Sequence, residues 1–417
     1  MREILRLDES HIDAYTTIAH NAYPSFKDRS EEGIRAYKAR VADILRTEKD
    51  VEFFGLFDGG KLITVMRLFR FQMNCFGRII PASGLGFLGV DLLHKKQNAA
   101  RPMVQFYEEW SLRQDIPLAL LLPFRPDYYK KMGYGIGTKM NQYRIETRYV
   151  PAYFGEADLR FVGRDELDGL FACYDRYVAR THGMLRKIGD ERYSLATDDY
   201  AKIVASYGAD GAMDGYVVFH FQNGKAGNYT INHIYVDELV YESPVALGKL
   251  LGFLRKQEDQ AQLTIFNTPD DSFHYLFDNP LNDSMNYVPF GNIESNTQGV
   301  GIMYKALDAK RLFEMCGHRS YNGADLAVRF RIFDEKRESE LECVTVSIEG
   351  GKAEVSDCAP EVTVSLSQSD FSALFLGCVS VRALYRLARL GLDDASKLDA
   401  LDLAMHVPEK PVNNTDF

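Results

Sequence analysis

Apolar residues recur along the first 150 positions with two different periods. Between residues 31 and 46, Ile34, Tyr37, Val41, Ile44 and Leu45 return at spacings near 3.6, which predicts a helix, and residues 11–22 read the same way. Residues 51–57 and 61–71 read as strands joined by the turn Asp58-Gly59-Gly60, the strongest hairpin signal in the chain. Gly84 to Val90 forms a third apolar strand, and Pro81 interrupts what precedes it. Asn98 to Leu112 is amphipathic, with Met103, Phe106, Tyr107 and Trp110 on one stripe. Leu118 to Leu122 is unbroken and apolar, as a central strand would be. A short helix at 127–132 closes on Gly133, and Met140 to Ile145 reads as the last strand of this unit.

A polar seam at 146–160, containing Pro151, precedes a second unit of similar outline. It has helices at 165–179 and 243–256 and strands at 215–222, 227–240 and 262–266, which suggests an internal duplication without residue similarity. After the polar stretch Asn279 to Gly299 come strands at 326–333, 343–348, 352–355 and 362–366, then helices at 369–376, 379–388 and 394–403. The pattern is α+β, and it divides into units at 1–148, 149–298 and 299–417.

Composition narrows the partners. With 49 Lys plus Arg against 59 Asp plus Glu, the net charge is −10, which argues against nucleic acid and mildly favours a cationic ligand. The six cysteines show no C-x-x-C spacing and read as reduced thiols. Met1 to Asp8 carries charges where a signal peptide needs an apolar core. No apolar run reaches the ~18 residues of a membrane span. These features predict a cytoplasmic protein without a membrane partner. His94, His220, His233 and His274 lack ligand spacing to other donors, so no metal is expected.

Three segments carry candidate chemistry. Gly84-Leu85-Gly86-Phe87-Leu88-Gly89 fits G-x-G-x-x-G, but the glycines alternate with apolar residues as they would inside a strand. A bulged or closely approached strand fits better than a dinucleotide loop. The turn His94-Lys95-Lys96-Gln97-Asn98-Ala99-Ala100 precedes a helix, whose first N–H groups and dipole suit phosphates. In Pro123-Phe124-Arg125-Pro126-Asp127-Tyr128-Tyr129, a tyrosine sits one turn before the Gly133-Tyr134 pair, where a phenol can serve a leaving thiolate.

Together these segments resemble the GNAT acetyltransferase superfamily, whose pyrophosphate loop reads Gln/Arg-x-x-Gly-x-Gly/Ala. Here Asn98 replaces the central glycine and a lysine the leading residue. Over the whole chain the sequence resembles the enhanced-intracellular-survival (Eis) family. The resemblance rests on Tyr129-Lys130-Lys131-Met132-Gly133-Tyr134, the second degenerate unit, a last domain similar to sterol carrier protein, and the tail Asn413-Asn414-Thr415-Asp416-Phe417.

The resemblance implies tandem GNAT domains, with mixed central sheets flanked by helices, then a sterol-carrier-protein-like α+β domain. It implies an acetyl-coenzyme A-dependent N-acetyltransferase acting on a primary amine of a small cationic or peptide substrate, aminoglycoside- or polyamine-like. A protein that binds coenzyme A, an acyl-coenzyme or an apolar ligand with weak or no catalysis is the alternative. By the same resemblance Tyr129 is the general acid and the α-carboxylate of Phe417 the general base. Leu88, Gly89 and Val90 bind the pantetheine arm through backbone groups, and Lys96, Gln97, Asn98, Ala99, Ala100 and Arg101 hold the pyrophosphate. Phe124 and Arg125 line the coenzyme channel, Phe26 and Asp416 lie near the acceptor amine, and the chain forms a homo-oligomer as large as a hexamer. An α-carboxylate, with a pKa of ~3.5, is too weak a base for an alkylammonium unless burial narrows the gap, so its expected work is to orient the amine.

Overall fold

The computed structural model describes residues 1–25, 28–155, 158–198 and 200–417. Three mixed sheets of seven, seven and five strands form its frame, as the α+β reading expects. The elements that build the site are β1 (Arg2–Arg6), α1 (Ile12–Ala22), α2 (Glu31–Thr47), β2 (Val51–Asp58), β3 (Lys61–Cys75), β4 (Arg78–Val90), α3 (Ala100–Leu112), β5 (Leu118–Leu121), α4 (Pro126–Lys130), β6 (Gly135–Ile136) and β7 (Met140–Glu146).

The first sheet runs β1-β2-β3-β4-β5, then a strand at Met303–Ala306, then β6. Its first hairpin turns on Gly59 and Gly60, both with positive φ, as the sequence predicts. The hairpin of β3 and β4 turns on Phe76 and Gly77, again with two positive φ values, and is longer than the pattern suggests. Pro81 does not interrupt β4 but pairs with Gln72 inside it. Gln72 turns its carbonyl away from β4, where it accepts from the Arg186 N–H at 2.9 Å. Pairs of this kind exchange no backbone bond, so the missing N–H of Pro81 costs the ladder nothing.

Strand exchange ties the units together. β7, expected to close the first unit, instead pairs with the strand at Ala261–Thr268 in the second sheet, and Thr297–Gly299 pairs with its other edge. Met303–Ala306 returns to the first sheet and fills the place between β5 and β6. One continuous buried cluster runs from Tyr15, Val41 and Phe53 through Tyr304 to Phe313, Phe330, Phe371 and Phe375 of the third unit. Each such ring contributes ~1.5–3 kcal/mol when fully buried, so this shared core resists separation of the units. Among the described residues no helix is long and apolar enough to cross a membrane.

Candidate active site

The glycine-rich segment lies within β4, as the alternation of apolar residues implies. Arg67 of β3 pairs with Gly86 and Val65 with Gly89, so three steps on β4 face two on β3. The extra residue makes a bulge around Phe87, whose φ is 49°. On its other edge β4 pairs with β5 in parallel only from Ser83–Ala119 to Leu85–Leu121. Beyond that point the strands part. Asp91 donates its N–H to the Ile63 carbonyl at 2.9 Å, so alternation turns the N–H and C=O of Val90 toward the gap and those of Gly89 toward β3. The Leu88 carbonyl already accepts from the Tyr23 hydroxyl at 3.2 Å. Of the three residues expected at the pantetheine arm, Val90 therefore keeps the free backbone edge.

The basic turn beyond β4 combines left-handed backbone with an uncapped helix start. Lys96 and Asn98 both have left-handed backbone, with φ of 61° and 55°. Asparagine tolerates this conformation better than most residues, and here it stands where the superfamily pattern has glycine. Helix α3 starts at Ala100, two residues later than the amphipathic pattern suggests, and its cap residue Ala99 offers no side-chain oxygen. The first-turn N–H groups of Ala100 and Arg101 are therefore uncapped. Pro102 falls within this first turn, where its missing N–H would have had no helical partner, and so it does not kink the helix. Lys96, Gln97, Asn98 and Arg101 are exposed, whereas Ala99 is buried. The Gln97 carbonyl receives Arg2 at 3.1 Å. Uncapped donors, a left-handed turn and three cations fit a pyrophosphate.

Across the gap stands the tyrosine segment. Tyr129 is buried on α4, with its ring edge-on to Tyr128 (5.3 Å) and Tyr134 (6.0 Å). Gly133, with φ of 89°, ends this turn as the sequence predicts. Burial, reinforced by the neighbouring Tyr23 and Tyr128 phenols, raises the Tyr129 pKa well above the usual tyrosine value. The hydroxyl therefore stays protonated at neutral pH as a hydrogen-bond donor. Burial likewise pushes Tyr23 up to about 12. Tyr23 links the two walls: its ring meets Phe87 at 5.9 Å and Phe124 at 6.5 Å. Phe124 is exposed at the mouth. Arg125 is exposed and forms a two-pronged pair with Asp127 (3.0 and 2.7 Å), so its guanidinium turns to its own helix.

Chain ends commonly fray, but this one is docked. The Thr138 hydroxyl donates to the Pro411 carbonyl at 2.8 Å, and Val412 donates to the His182 carbonyl at 2.8 Å. The Phe417 ring then packs edge-on to Phe71 (4.9 Å) and Phe69 (5.7 Å) of β3. Its carboxyl group lies over Gly86: a Cβ there would stand 2.9 Å from the carboxyl carbon and 3.2 Å from an oxygen. At Gly84 a Cβ would stand 2.8 Å from the Phe417 ring. The glycines of the apparent dinucleotide motif thus make room for the chain's own terminus, one residue before the bulge.

Phe26 lies outside the described residues. Asp416 is exposed and lines a cavity of about 1000 Å³ in the second unit, formed where the strands Asn232–Tyr241 and Ala261–Thr268 part. Asp237, Glu238, Glu242, Asp270, Asp271 and Glu409 also line it, against Arg180 and Lys410. Asp270 and Glu409 raise the pKa of Tyr241, after the larger effect of burial, so the field in the cleft is negative. Two groups escaped the sequence reading. One is Tyr23; the other is Arg67, a buried guanidinium within the apolar run of β3. A charged residue at an inward position of such a run was the available signal.

Residues 3–137 match a family model described as an acetyltransferase (GNAT) domain. Residues 177–291 match a second acetyltransferase (GNAT) domain model, and 310–414 match a sterol carrier protein domain. An uncharacterized N-acetyltransferase of Streptomyces avermitilis is 26% identical over 230 residues, which are 52% of this chain and 56% of that protein. The chain spans about half the length of the curated relatives it matches. A GCN5-related N-acetyltransferase from Anabaena variabilis superposes with a TM-score of 0.81 at 16% identity, covering 100% of both chains. Eis1 from Mycobacterium abscessus superposes with a TM-score of 0.75 at 18% identity, also over 100% of both. The chain therefore carries two GNAT acetyltransferase domains followed by a sterol carrier protein domain.

Proposed function

We propose that the protein transfers an acetyl group from acetyl-coenzyme A to a primary amine of a small cationic or peptide acceptor, aminoglycoside- or polyamine-like. The observation that carries this reading is the terminal carboxylate over Gly86, beside the bulge and the opened strand edge. Within the divisions 1–148, 149–298 and 299–417, the first unit would hold the coenzyme. The α3 N-terminus with Lys96 and Arg101 would take the pyrophosphate, and the Val90 edge the pantetheine arm. When bound, acetyl-coenzyme A supplies the thioester under attack.

The Val90 N–H polarises the reacting carbonyl, as fixed donors do for a developing oxyanion. Tyr129, kept protonated by burial, donates a hydrogen bond to the sulfur as negative charge gathers there. A phenol with a raised pKa holds its proton more tightly than a free one, so its share is stabilisation rather than early proton transfer. The Phe417 carboxylate attracts and orients the acceptor ammonium, which gives one proton to solvent before attack; as the C–N bond forms and the C–S bond breaks, nitrogen loses a second proton and the coenzyme leaves as its thiol. The acid-lined cavity beside Asp416 supports a cationic acceptor, because a carboxylate-rich cleft concentrates cations.

Calorimetric titration with acetyl-coenzyme A, paired with thiol release over a panel of polyamines, aminoglycosides and peptides, tests the reading. Binding with release supports it. Binding without release would instead favour a coenzyme-binding protein. A homo-oligomer, as large as a hexamer, belongs to the same proposal. What supports it is the apolar hairpin tip with Tyr287 and Phe290 exposed, and sedimentation of the intact chain tests it.

A further inference from the structure

Arg67 is 5% exposed, in the middle of β3. Its strand neighbours are Phe53 on β2 and Gly86 on β4. The guanidinium lies 4.9 Å from the Phe53 ring and 4.4 Å from the Phe87 ring. Nε donates to the Tyr15 hydroxyl at 3.0 Å and Nη2 to the Tyr37 hydroxyl at 3.3 Å. Asp190 is its one ion-pair partner among the described residues, at 3.9 Å, and Asp190 lies closer to Arg40. Arg40 is paired with Asp43 as well.

A buried cation is costly unless its charge is answered. Here two neutral phenols, two ring faces and one distant, shared carboxylate answer it. Packing alone would be served better by an apolar residue of similar volume. Directly paired residues project from the same face of a sheet, so the Arg67 side chain leaves the sheet beside the atoms that lie over Gly86. Those atoms are the Phe417 carboxyl group. The two opposite charges thus share one face of the sheet without a direct ion pair, and the guanidinium lies against the Phe87 ring at the bulge.

We infer that Arg67 is a positioning residue for the chain terminus: its buried charge holds the Phe417 carboxylate ionised and fixed over Gly86. The inference rests on the proposed role of that carboxylate in acetyl transfer, and it explains how a carboxylate kept as an anchor for an ammonium avoids neutralisation in an aromatic pocket. Tyr15, His20, Tyr37, Arg40, Lys187, Asp190, Glu191 and Asp416 are other ionisable groups gathered near this face, and the experiment leaves all of them in place.

The decisive measurement uses the full chain carrying ¹³C only in the Phe417 carboxyl group, titrated by NMR. Replacing Arg67 with methionine should raise the carboxyl titration midpoint by about one unit or more, the scale of one unit charge a few ångströms away in a protein-like dielectric. Arg67→Lys should restore most of the shift. An unchanged midpoint in Arg67→Met overturns the inference, as does a shift that Arg67→Lys fails to reverse. If Arg67→Met does not fold, Arg67→Gln, neutral but hydrogen-bonding, takes its place under the same criteria. The parallel kinetic readout is a roughly tenfold rise in the acceptor KM at unchanged acetyl-coenzyme A affinity. Adding one residue after Phe417 should abolish that effect; equal effects of Arg67→Met in both backgrounds would refute action through the carboxylate. Full turnover by the extended chain would defeat the proposed role of the tail. The NMR shift, which needs no turnover, would still judge the electrostatic pairing alone.

Discussion

Gly86→Ala tests whether the terminus works from where it lies. Gly86 has no left-handed backbone, so alanine meets no conformational objection and its effect is steric. The new Cβ would sit 2.9 Å from the Phe417 carboxyl carbon and 2.8 Å from the Phe69 ring. Carbon atoms in ordinary contact are ~3.5–4.0 Å apart, so the carboxyl group must retreat by roughly 0.6–1 Å. A misplacement of ~1 Å at a reacting group costs ~10²-fold in rate. Turnover should therefore fall about 10- to 100-fold, equivalent to about 1.4–2.8 kcal/mol of activation free energy. Crowding of this kind costs the fold ~1–3 kcal/mol, so the thermal midpoint should drop by several degrees without loss of cooperative unfolding. The assay is thiol release at saturating amine, with acetyl-coenzyme A affinity measured by calorimetry on the same sample. Affinity should stay within about twofold, because the Val90 edge and the α3 N-terminus are untouched. Turnover within twofold of the parent chain, in a variant that folds and binds coenzyme, would refute any catalytic use of the docked carboxylate.

Other perturbations address separate parts of the site. Tyr129→Phe should lower turnover by about 10²-fold while coenzyme binding survives, the scale of one positioned proton donor; thiol release at the parent rate would remove Tyr129 from the chemistry. Asn98→Val should weaken coenzyme binding about tenfold, since a β-branched residue resists φ near 55°, whereas Asn98→Gly should retain it; calorimetry compares the two. His182 accepts from the Phe76 N–H (3.2 Å) and reaches the Leu376 carbonyl (3.0 Å), and burial presses its pKa down to about 4. The unfolded chain, with a histidine pKa of ~6.5, takes up this proton first as pH falls. His182 should therefore withdraw up to about 3 kcal/mol of stability between pH 6.5 and 4, and the acid slope of the melting temperature should flatten in His182→Gln.

Much of the fold could be read from local chemistry. The Asp58-Gly59-Gly60 hairpin and the Gly133 cap follow from residues that tolerate positive φ. The alternation of glycine with apolar residues pointed to a strand rather than a dinucleotide loop, and the bulge at Phe87 agrees. Other features depend on partners far away in sequence. Pro81 is harmless because Gln72 faces Arg186 of the second unit, and no reading of the first 100 residues contains that fact. The strand exchange of β7 and Met303–Ala306 is likewise invisible to periodicity, which specifies a strand but not its sheet. Arg125 was expected along the coenzyme channel. Its side chain closes on Asp127 two residues on, a local pairing that the expectation did not weigh. Arg67 offered a signal, a charge within an apolar strand, but what it faces could be read only once its neighbours across the sheet were known.

The position of the last residue depends on every unit of the chain. Pro411 is held by Thr138 before β7, Val412 by His182 of the second unit, and the Phe417 ring by Phe69 and Phe71 of the first. His182 itself stacks on Phe76 at 4.2 Å and bonds to Leu376 of the third unit. Arg319 completes the joint, donating to the Phe375 and Met405 carbonyls while lying 4.6 Å from the Phe76 ring. A flexible tail would have to be ordered anew at each encounter, at roughly 1–2 kcal/mol of backbone entropy per residue. Docking along the first two units meets that cost during folding, so that in the proposed transfer the carboxylate is in place before an amine arrives. The third unit thus serves the first by delivering its own last residue: it fixes the origin of the tail, and the glycines of β4 fix its end.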